Sequence, residues 1–190
     1  MEKDDAELIA LFKAGDEHAL ALLIKKHVKS VYNFAFRLLG DTTLAEDTTQ
    51  ETFIKAWKNL DRFRVNESFH AWLFTIARNT ATDHLRKKRT LPFSRLFGQT
   101  DDGETAQFED TLIDTDPTPE ELAIIREQKE FLDDALDKIP PLYREVLLLY
   151  YNEDLTFNEI GGVLGKPLNT VKSQYRRALM ALRNVIEKPE

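Results

Sequence analysis

Apolar positions recur along this chain at intervals of three and four residues and never alternate strictly, a pattern that calls for helices and not strands. The first run comprises Leu8, Ile9 and Phe12, followed by Leu20, Leu23, Ile24, Val28, Val31, Tyr32, Phe34 and Leu38. Gly15-Asp16 splits it into a short helix and a longer one, and Gly40 suits the left-handed residue that ends a helix. Asp41-Thr42-Thr43 starts a third helix, running to Leu60, in which Leu44, Thr48, Phe53, Ile54, Trp57 and Leu60 are expected to bury one side. The period is lost over DRFRVNE, Asp61 to Glu67, which reads as a loop. Ser68 can N-cap the next helix, whose inward residues are expected to be Phe69, Trp72, Leu73, Ile76, Ala77, Thr80 and His84.

Helical signal disappears from Thr90 to Thr118 and returns with Pro119, which opens a helix over Glu120 to Lys138. Its apolar residues are Leu122, Ile125, Phe131, Leu132 and Leu136, with Ile139 beyond. Pro140-Pro141 stops it, and Leu142 to Tyr151 forms another helix. The last quarter, Leu155 to Arg183, reads as two short helices around a tight turn. Thr156 and Glu159 make a capping box, Ile160, Val163 and Leu164 an apolar stripe, Gly165 the turn, and Pro167 the first turn of the second helix. On that second helix Leu168, Val171, Tyr175, Ala178, Leu179 and Leu182 share the inner face. The expected fold is all-α, with two small helical domains joined by a flexible acidic linker.

Charge changes the picture by its distribution. The net charge is -7. Residues 1–95 carry 16 basic and 13 acidic groups, residues 96–138 carry 3 and 14, and residues 139–190 carry 7 and 6. The acidity therefore belongs to the middle, and both ends keep local basic faces, which matter more for phosphate contact than the total. Nine acids lie between Asp101 and Glu121 without a Lys or Arg, the composition of a linker.

The chain has no cysteine, so disulfides and cysteine-ligated zinc are excluded. Its four histidines are dispersed, with His18 and His27 expected at the surface or its boundary. No nucleophile–base pair, metal-ligand spacing or glycine-rich phosphate loop is present, so no catalytic residue, metal or cofactor is expected. The acidic N-terminus lacks the regions of a signal peptide, and no apolar run approaches a membrane span, which points to a cytoplasmic protein without membrane insertion.

The candidate chemistry lies on three helix faces and a loop. The outer face of the last helix carries Asn169, Thr170, Ser173, Arg176 and Arg177 with Lys172 on its flank, and no acid occurs between Glu159 and Glu187. A helix-turn-helix needs this layout, an inner stripe for docking and an outer face for base edges and phosphates; a plain helical hairpin with a solvated basic face is the alternative. The helix from Phe69 presents Thr75, Arg78, Asn79, Thr82 and Arg86 and ends in Arg86-Lys87-Lys88-Arg89, denser than dipole compensation requires. Beside it, the loop with Arg62, Phe63, Arg64 and Asn66 suits flipped single-stranded bases. The third helix shows Asp47, Gln50 and Glu51 near apolar surface. Both an ordinary amphipathic helix and a surface docking a basic partner around an aromatic anchor fit that pattern.

Two separated blocks carry a family resemblance. AEDTTQETFIKAW followed by FHAWLFTIARNTATDHLRKKR, and then LTFNEIGGVLGKPLNTVKSQYRRALMALR, make the whole chain resemble the extracytoplasmic-function group of the bacterial sigma-70 family. The resemblance implies a region two over residues 1–92, a linker over 93–119 in place of the large region three of housekeeping members, and a region four over 120–190. It implies a non-catalytic sigma factor that binds core RNA polymerase and directs promoter-specific initiation. Asp47, Gln50, Glu51, Phe53 and Trp57 match the helix that docks on the clamp coiled coil of the largest polymerase subunit, and the polymerase flap is a further implied contact. Arg64, Asn66 and Phe69 match the loop that captures a flipped base of the minus-ten element. Arg78, Asn79, Thr82 and Arg86 match the helix that contacts that element, and Asn169, Thr170, Lys172, Ser173, Arg176 and Arg177 match the minus-thirty-five recognition helix. An anti-sigma factor, promoter DNA and a monomeric free state are implied as well. Asn169 stands where the group commonly has Gly and Gln174 where a basic residue is common, so base preferences do not transfer.

Overall fold

The computed structural model describes residues 3–64, 67–90 and 118–187. Eight α-helices run through them: α1 (Asp5–Lys13), α2 (Glu17–Leu39), α3 (Thr42–Asn59), α4 (Phe69–Thr90), α5 (Pro119–Asp137), α6 (Pro141–Tyr151), α7 (Phe157–Leu164) and α8 (Leu168–Glu187). A single 3-10 turn, Leu60–Arg62, follows α3. No strand occurs among the described residues, so the fold is all-α as the periodicity required. All of the linker expected over 93–119 except its last two residues lies outside the described ones. The chain divides into two compact units, residues 1–105 with 158–166 and residues 106–157 with 167–190.

Helix ends in the first unit follow local chemistry. Asp4 and Glu7 form a reciprocal capping box on α1, with the Glu7 amide donating to Asp4 at 2.7 Å. Asp16 and Asp41 accept from His18 and Leu44, each at 3.0 Å, and start α2 and α3. Gly40, at φ 62°, ends α2 as expected, and Ser68 accepts from Ala71 at 3.2 Å to begin α4.

Helix α2 packs against α1, α3 and α4, and α3 packs against α4. Phe34 and Phe74 meet edge-on at 5.2 Å in the middle of this core, alongside buried Leu23, Val31 and Leu73. Full burial of each such side chain stabilises the unit by about 1.5–3 kcal/mol.

Two expectations are corrected here. His27 is not a boundary residue: it is 5% exposed, and its Nε2 lies 3.0 Å from the Asp5 carboxylate on α1. Lys26 reaches the same carboxylate at 2.9 Å. Burial alone would push the Asp5 carboxyl up, but hydrogen bonds from His27 and Lys26 outweigh it and bring it down to about 2. The partner lies 22 residues away in the sequence, so no local pattern shows it.

The second correction concerns α3. Its buried face is Ala45, Thr48, Thr49, Thr52 and Ala56, followed by Leu60, whereas Ile54 is 49% and Trp57 60% exposed. Leu44 and Phe53 are half-buried. Small side chains on the inner face let α3 approach α2 and α4 closely, and that steric requirement outweighs apolar bulk. Thr49 and Thr52 are accommodated inside because they return their hydroxyls to the carbonyls of Ala45 and Thr48 at 2.7 and 2.6 Å.

In the second unit α5, α6 and α8 pack on one another around Leu136, Ile139, Val146, Leu149 and Val171. Pro141 takes the first position of α6. Arg144 of α6 caps the end of α5, donating to the carbonyls of Leu136 and Asp137 at 2.8 Å each and pairing with the Asp137 carboxylate at 2.7 Å. Of the apolar residues expected along α5 and just beyond it, Leu136 and Ile139 are buried; Leu122, Ile125, Phe131 and Leu132 are exposed. On α8 the buried residues are Val171 and Ala178, while Leu168 and Leu179 reach the surface.

Helix α7 buries Ile160, Gly161, Val163 and Leu164. It ends in a Schellman arrangement: the Lys166 amide donates to the Gly161 carbonyl at 2.9 Å and the Gly165 amide to Gly162 at 3.3 Å. Gly165, at φ 64°, is the left-handed residue this turn requires.

Candidate docking and nucleic-acid surfaces

Helix α3 turns one face to solvent that combines acids, an amide and apolar bulk. Asp47 and Gln50 are exposed, Glu51 and Phe53 half-buried, and Trp57 projects farthest. Ile54, expected inside, belongs to this face; its place follows from the threonine-lined inner side. Glu51 is held by Lys55, whose Nζ donates to it at 3.1 Å, and by His84 of α4, whose Nε2 lies 3.4 Å from the other carboxylate oxygen. The Lys55 hydrogen bond leads in keeping the Glu51 carboxyl below its ordinary value; partial burial opposes it, and the charges of Lys55, His84 and Lys87 assist.

Beside that face, α3, the 3-10 turn and α4 border an open cleft of about 440 Å³. Lys55, Asn59 and Arg62 line one side, and Trp72, Asn79 and Asp83 the other. Lys55 and Asn59 were not among the residues singled out from sequence. The signal was present in the 55, 59, 62 spacing, which puts two cations and an amide on one side of a helix and its terminal turn.

On α4, Asn79, Thr82 and Arg86 are exposed and Arg78 is half-buried. Thr82 turns its hydroxyl back to the Arg78 carbonyl at 2.8 Å, and Arg86 pairs with Asp83 at 3.0 Å. The side chains of Lys88 and Arg89, the end of the expected basic cluster, are outside the described residues, and so is Asn66. Arg64 is exposed, with its guanidinium 3.9 Å from Glu67. Phe69 is the exception in the loop group. It is 6% exposed, packed against Phe63, Trp72 and His27 at centroid distances of 5.6, 5.6 and 5.5 Å. The first turn of α4 points it into the core.

The outer face of α8 matches its expected composition. Asn169, Lys172, Ser173, Arg176 and Arg177 are exposed and Thr170 is half-buried, with the Ser173 hydroxyl donating to the Thr170 carbonyl at 3.0 Å. Behind them, Tyr175 meets Tyr151 of α6 through hydroxyls 2.7 Å apart. That hydrogen bond is the first cause raising the Tyr175 hydroxyl to about 12, with burial second. Helices α6 and α8 are thus tied at their outer edge as well as through the core.

No cluster of residues suited to a metal ion occurs among the described residues. No helix in that set is long and apolar enough to cross a membrane.

The described residues are helical apart from short turns, with an exposed aromatic on α3 and polar, basic faces on α4 and α8. Residues 23–90 match the family of sigma-70 region 2, and residues 130–182 match sigma-70 region 4. The chain is 33% identical to the ECF RNA polymerase sigma factor SigW of Bacillus subtilis over 96% of its own length and 97% of that protein's. Two solved structures share the fold at 23% identity. One is CnrH in complex with the cytosolic domain of CnrY, with a TM-score of 0.69 over 98% of this chain and 99% of that one. The other is the sigma factor RpoE of Bartonella quintana in complex with the anti-sigma factor NepR, with a TM-score of 0.66 over 88% and 96%. The chain belongs to the extracytoplasmic-function group of the sigma-70 family, promoter-recognising factors of transcription initiation.

Proposed function

We propose that this protein binds core RNA polymerase through the solvent face of α3 and carries no reaction of its own. Asp47, Gln50 and Glu51 meet a basic helical partner, the clamp coiled coil of the largest subunit, around Trp57, with Phe53 and Ile54 as apolar flank. The observation that carries this reading is the 60% exposure of Trp57 beside exposed Ile54. A large aromatic ring left in water next to acids is the composition of an interface anchor, not of a solvated helix face.

Arg64, Asn66, Arg78, Asn79, Thr82 and Arg86 contact the minus-ten element, with Phe69 holding the loop in place. Asn169, Thr170, Lys172, Ser173, Arg176 and Arg177 read the minus-thirty-five element. Region two spans 1–92 and region four 120–190, with the acidic segment between them. The protein works in the cytoplasm, and an anti-sigma factor, as seen on the Bartonella quintana relative, restrains it.

A run-off transcription assay with purified core polymerase and a pool of candidate promoters tests this function. New start sites that appear only when the chain is added are the expected result. No transcription, together with tight duplex binding by the chain alone, would overturn it.

A further inference from the structure

Four aromatic rings meet where α6 ends, α7 begins and α8 passes by. Centroid to centroid, Tyr150 lies 4.9 Å from Phe157, 4.9 Å from Tyr175 and 5.0 Å from Tyr151, and Phe157 lies 5.1 Å from Tyr175. The hydroxyls of Tyr151 and Tyr175 are 2.7 Å apart. Tyr151 is 58% exposed, so burial does not account for where its ring stands. Neither tyrosine belongs to the outer face of α8.

The buried residues of α8 are Val171 and Ala178. Both are small, and at about 100° per residue they lie within about 20° of each other around the helix. A helix held by that row alone would roll about its axis. Tyr175 and Gln174 flank the row, half-buried, about 40–60° to either side. On the Tyr175 side the contact is directional, because the ring abuts Tyr150 and Phe157 and the hydroxyl is tied to α6. The Tyr175 hydroxyl is raised to about 12, first by the bond to Tyr151, so it keeps its proton at neutral pH.

Roll matters most to the reading of bases. A helix is about 10–12 Å across, so a roll of about 10° moves a side-chain tip at its rim by about 1 Å. A shift of that size takes a base-edge hydrogen bond out of its range of about 0.5 Å. A long Arg or Lys side chain follows the same shift and keeps its phosphate. We propose that the Tyr151–Tyr175 hydroxyl pair is a positioning device that fixes the roll of α8, which makes both tyrosines determinants of base specificity acting through the outer face. This rests on the minus-thirty-five reading assigned to α8 above.

The test uses the chain assembled with core polymerase and a duplex pool randomised over the minus-thirty-five segment of a promoter recovered by run-off transcription. Bound duplexes are sequenced, and affinity is measured for the most enriched duplex and for a scrambled one. Tyr151→Phe and Tyr175→Phe each remove the hydroxyl bond and keep the ring. Each should lower the ratio of enriched to scrambled affinity about threefold, the scale of one exposed hydrogen bond. Affinity for the scrambled duplex and the melting temperature should stay nearly unchanged. Both substitutions remove the same bond, so the double variant should lose no more than either single one. Tyr143→Phe, elsewhere on α6, should leave the ratio as it is.

An unchanged ratio in both single variants overturns the proposal. A fall in both affinities together with the melting temperature shows a tyrosine pair that holds the fold and nothing more, and rejects the positioning role. Losses that add in the double variant show two hydroxyls acting separately and reject the pair. A wild-type holoenzyme that selects no sequence from the pool overturns the minus-thirty-five reading of α8, and the proposal falls with it.

Discussion

Helices α3 and α8 each carry a proposed contact face, and the two faces arise by opposite routes. On α8 the polar outer face is what a helical wheel gives, since Val171 and Ala178 are buried while Lys172, Arg176 and Arg177 are exposed. On α3 the wheel misleads. Thr49 and Thr52 are buried, and Trp57 and Ile54 stand in solvent. A nucleic-acid face is polar, so excluding it from the core costs nothing and local hydrophobicity finds it. A protein-docking face is itself apolar, so the same rule assigns it to the core. The side chains that enter α3's core are chosen by size: α3 packs against both α2 and α4, and small residues permit the close approach.

Breaking the docking face should have the largest effect. Trp57→Ala is expected to weaken core polymerase binding by at least about 2 kcal/mol, roughly thirtyfold in Kd, with the melting temperature nearly unchanged. A matching fall in melting temperature would place Trp57 in the core after all. The converse substitution, Thr52→Leu, should overpack the inner face and destabilise the fold by about 1–3 kcal/mol in urea unfolding. If it is tolerated, the small-residue explanation of α3 fails.

The frame beneath α3 and α4 has its own signature in acid. Asp5 titrates near 2 in the fold against an ordinary 3.8, so its contribution is complete above that ordinary value. It is lost as pH falls from about 4 through 2, and amounts to about 2 kcal/mol. Asp5→Asn should remove this part of the acid dependence and lower stability at neutral pH, both read by denaturant unfolding.

Effects on α8 should be smaller and confined to DNA. Arg176→Ala is expected to cost about 1–2 kcal/mol in promoter affinity without touching polymerase binding. A loss restricted to particular minus-thirty-five bases marks base readout, and a uniform loss marks phosphate contact. The smallest change expected is a gain. Gly162 lies in α7 with open space around an added Cβ, so Gly162→Ala should stabilise the protein by up to about 1 kcal/mol in thermal unfolding.

How far sequence carries the account depends on the range of the interaction. Helix starts at Asp41 and Ser68 and ends at Gly40 and Gly165 follow from residues within one turn, and they were legible. The outer face of α8 was legible for the same reason. Burial of His27 was not, because its partner Asp5 comes from another helix. Burial of Phe69 was legible in the period of α4, which put it on the inward side, and its ring lies among Phe63, Trp72 and His27. The cleft with Lys55, Asn59 and Arg62 takes α4 as its other wall, and helix pairing is a tertiary fact. The exposed apolar residues of α5 and α3 look alike in periodicity to core residues, and only packing separates them.

The central claim is that the exposed ring of Trp57 is the anchor of a polymerase interface. A photo-reactive aromatic amino acid placed at position 57 tests it most directly, by irradiation of the protein bound to core polymerase. The expected result is a crosslink to the largest polymerase subunit that is lost when Asp47 and Glu51 are reversed in charge. Full transcriptional activity with no crosslink to polymerase, or with a crosslink to DNA alone, would contradict it.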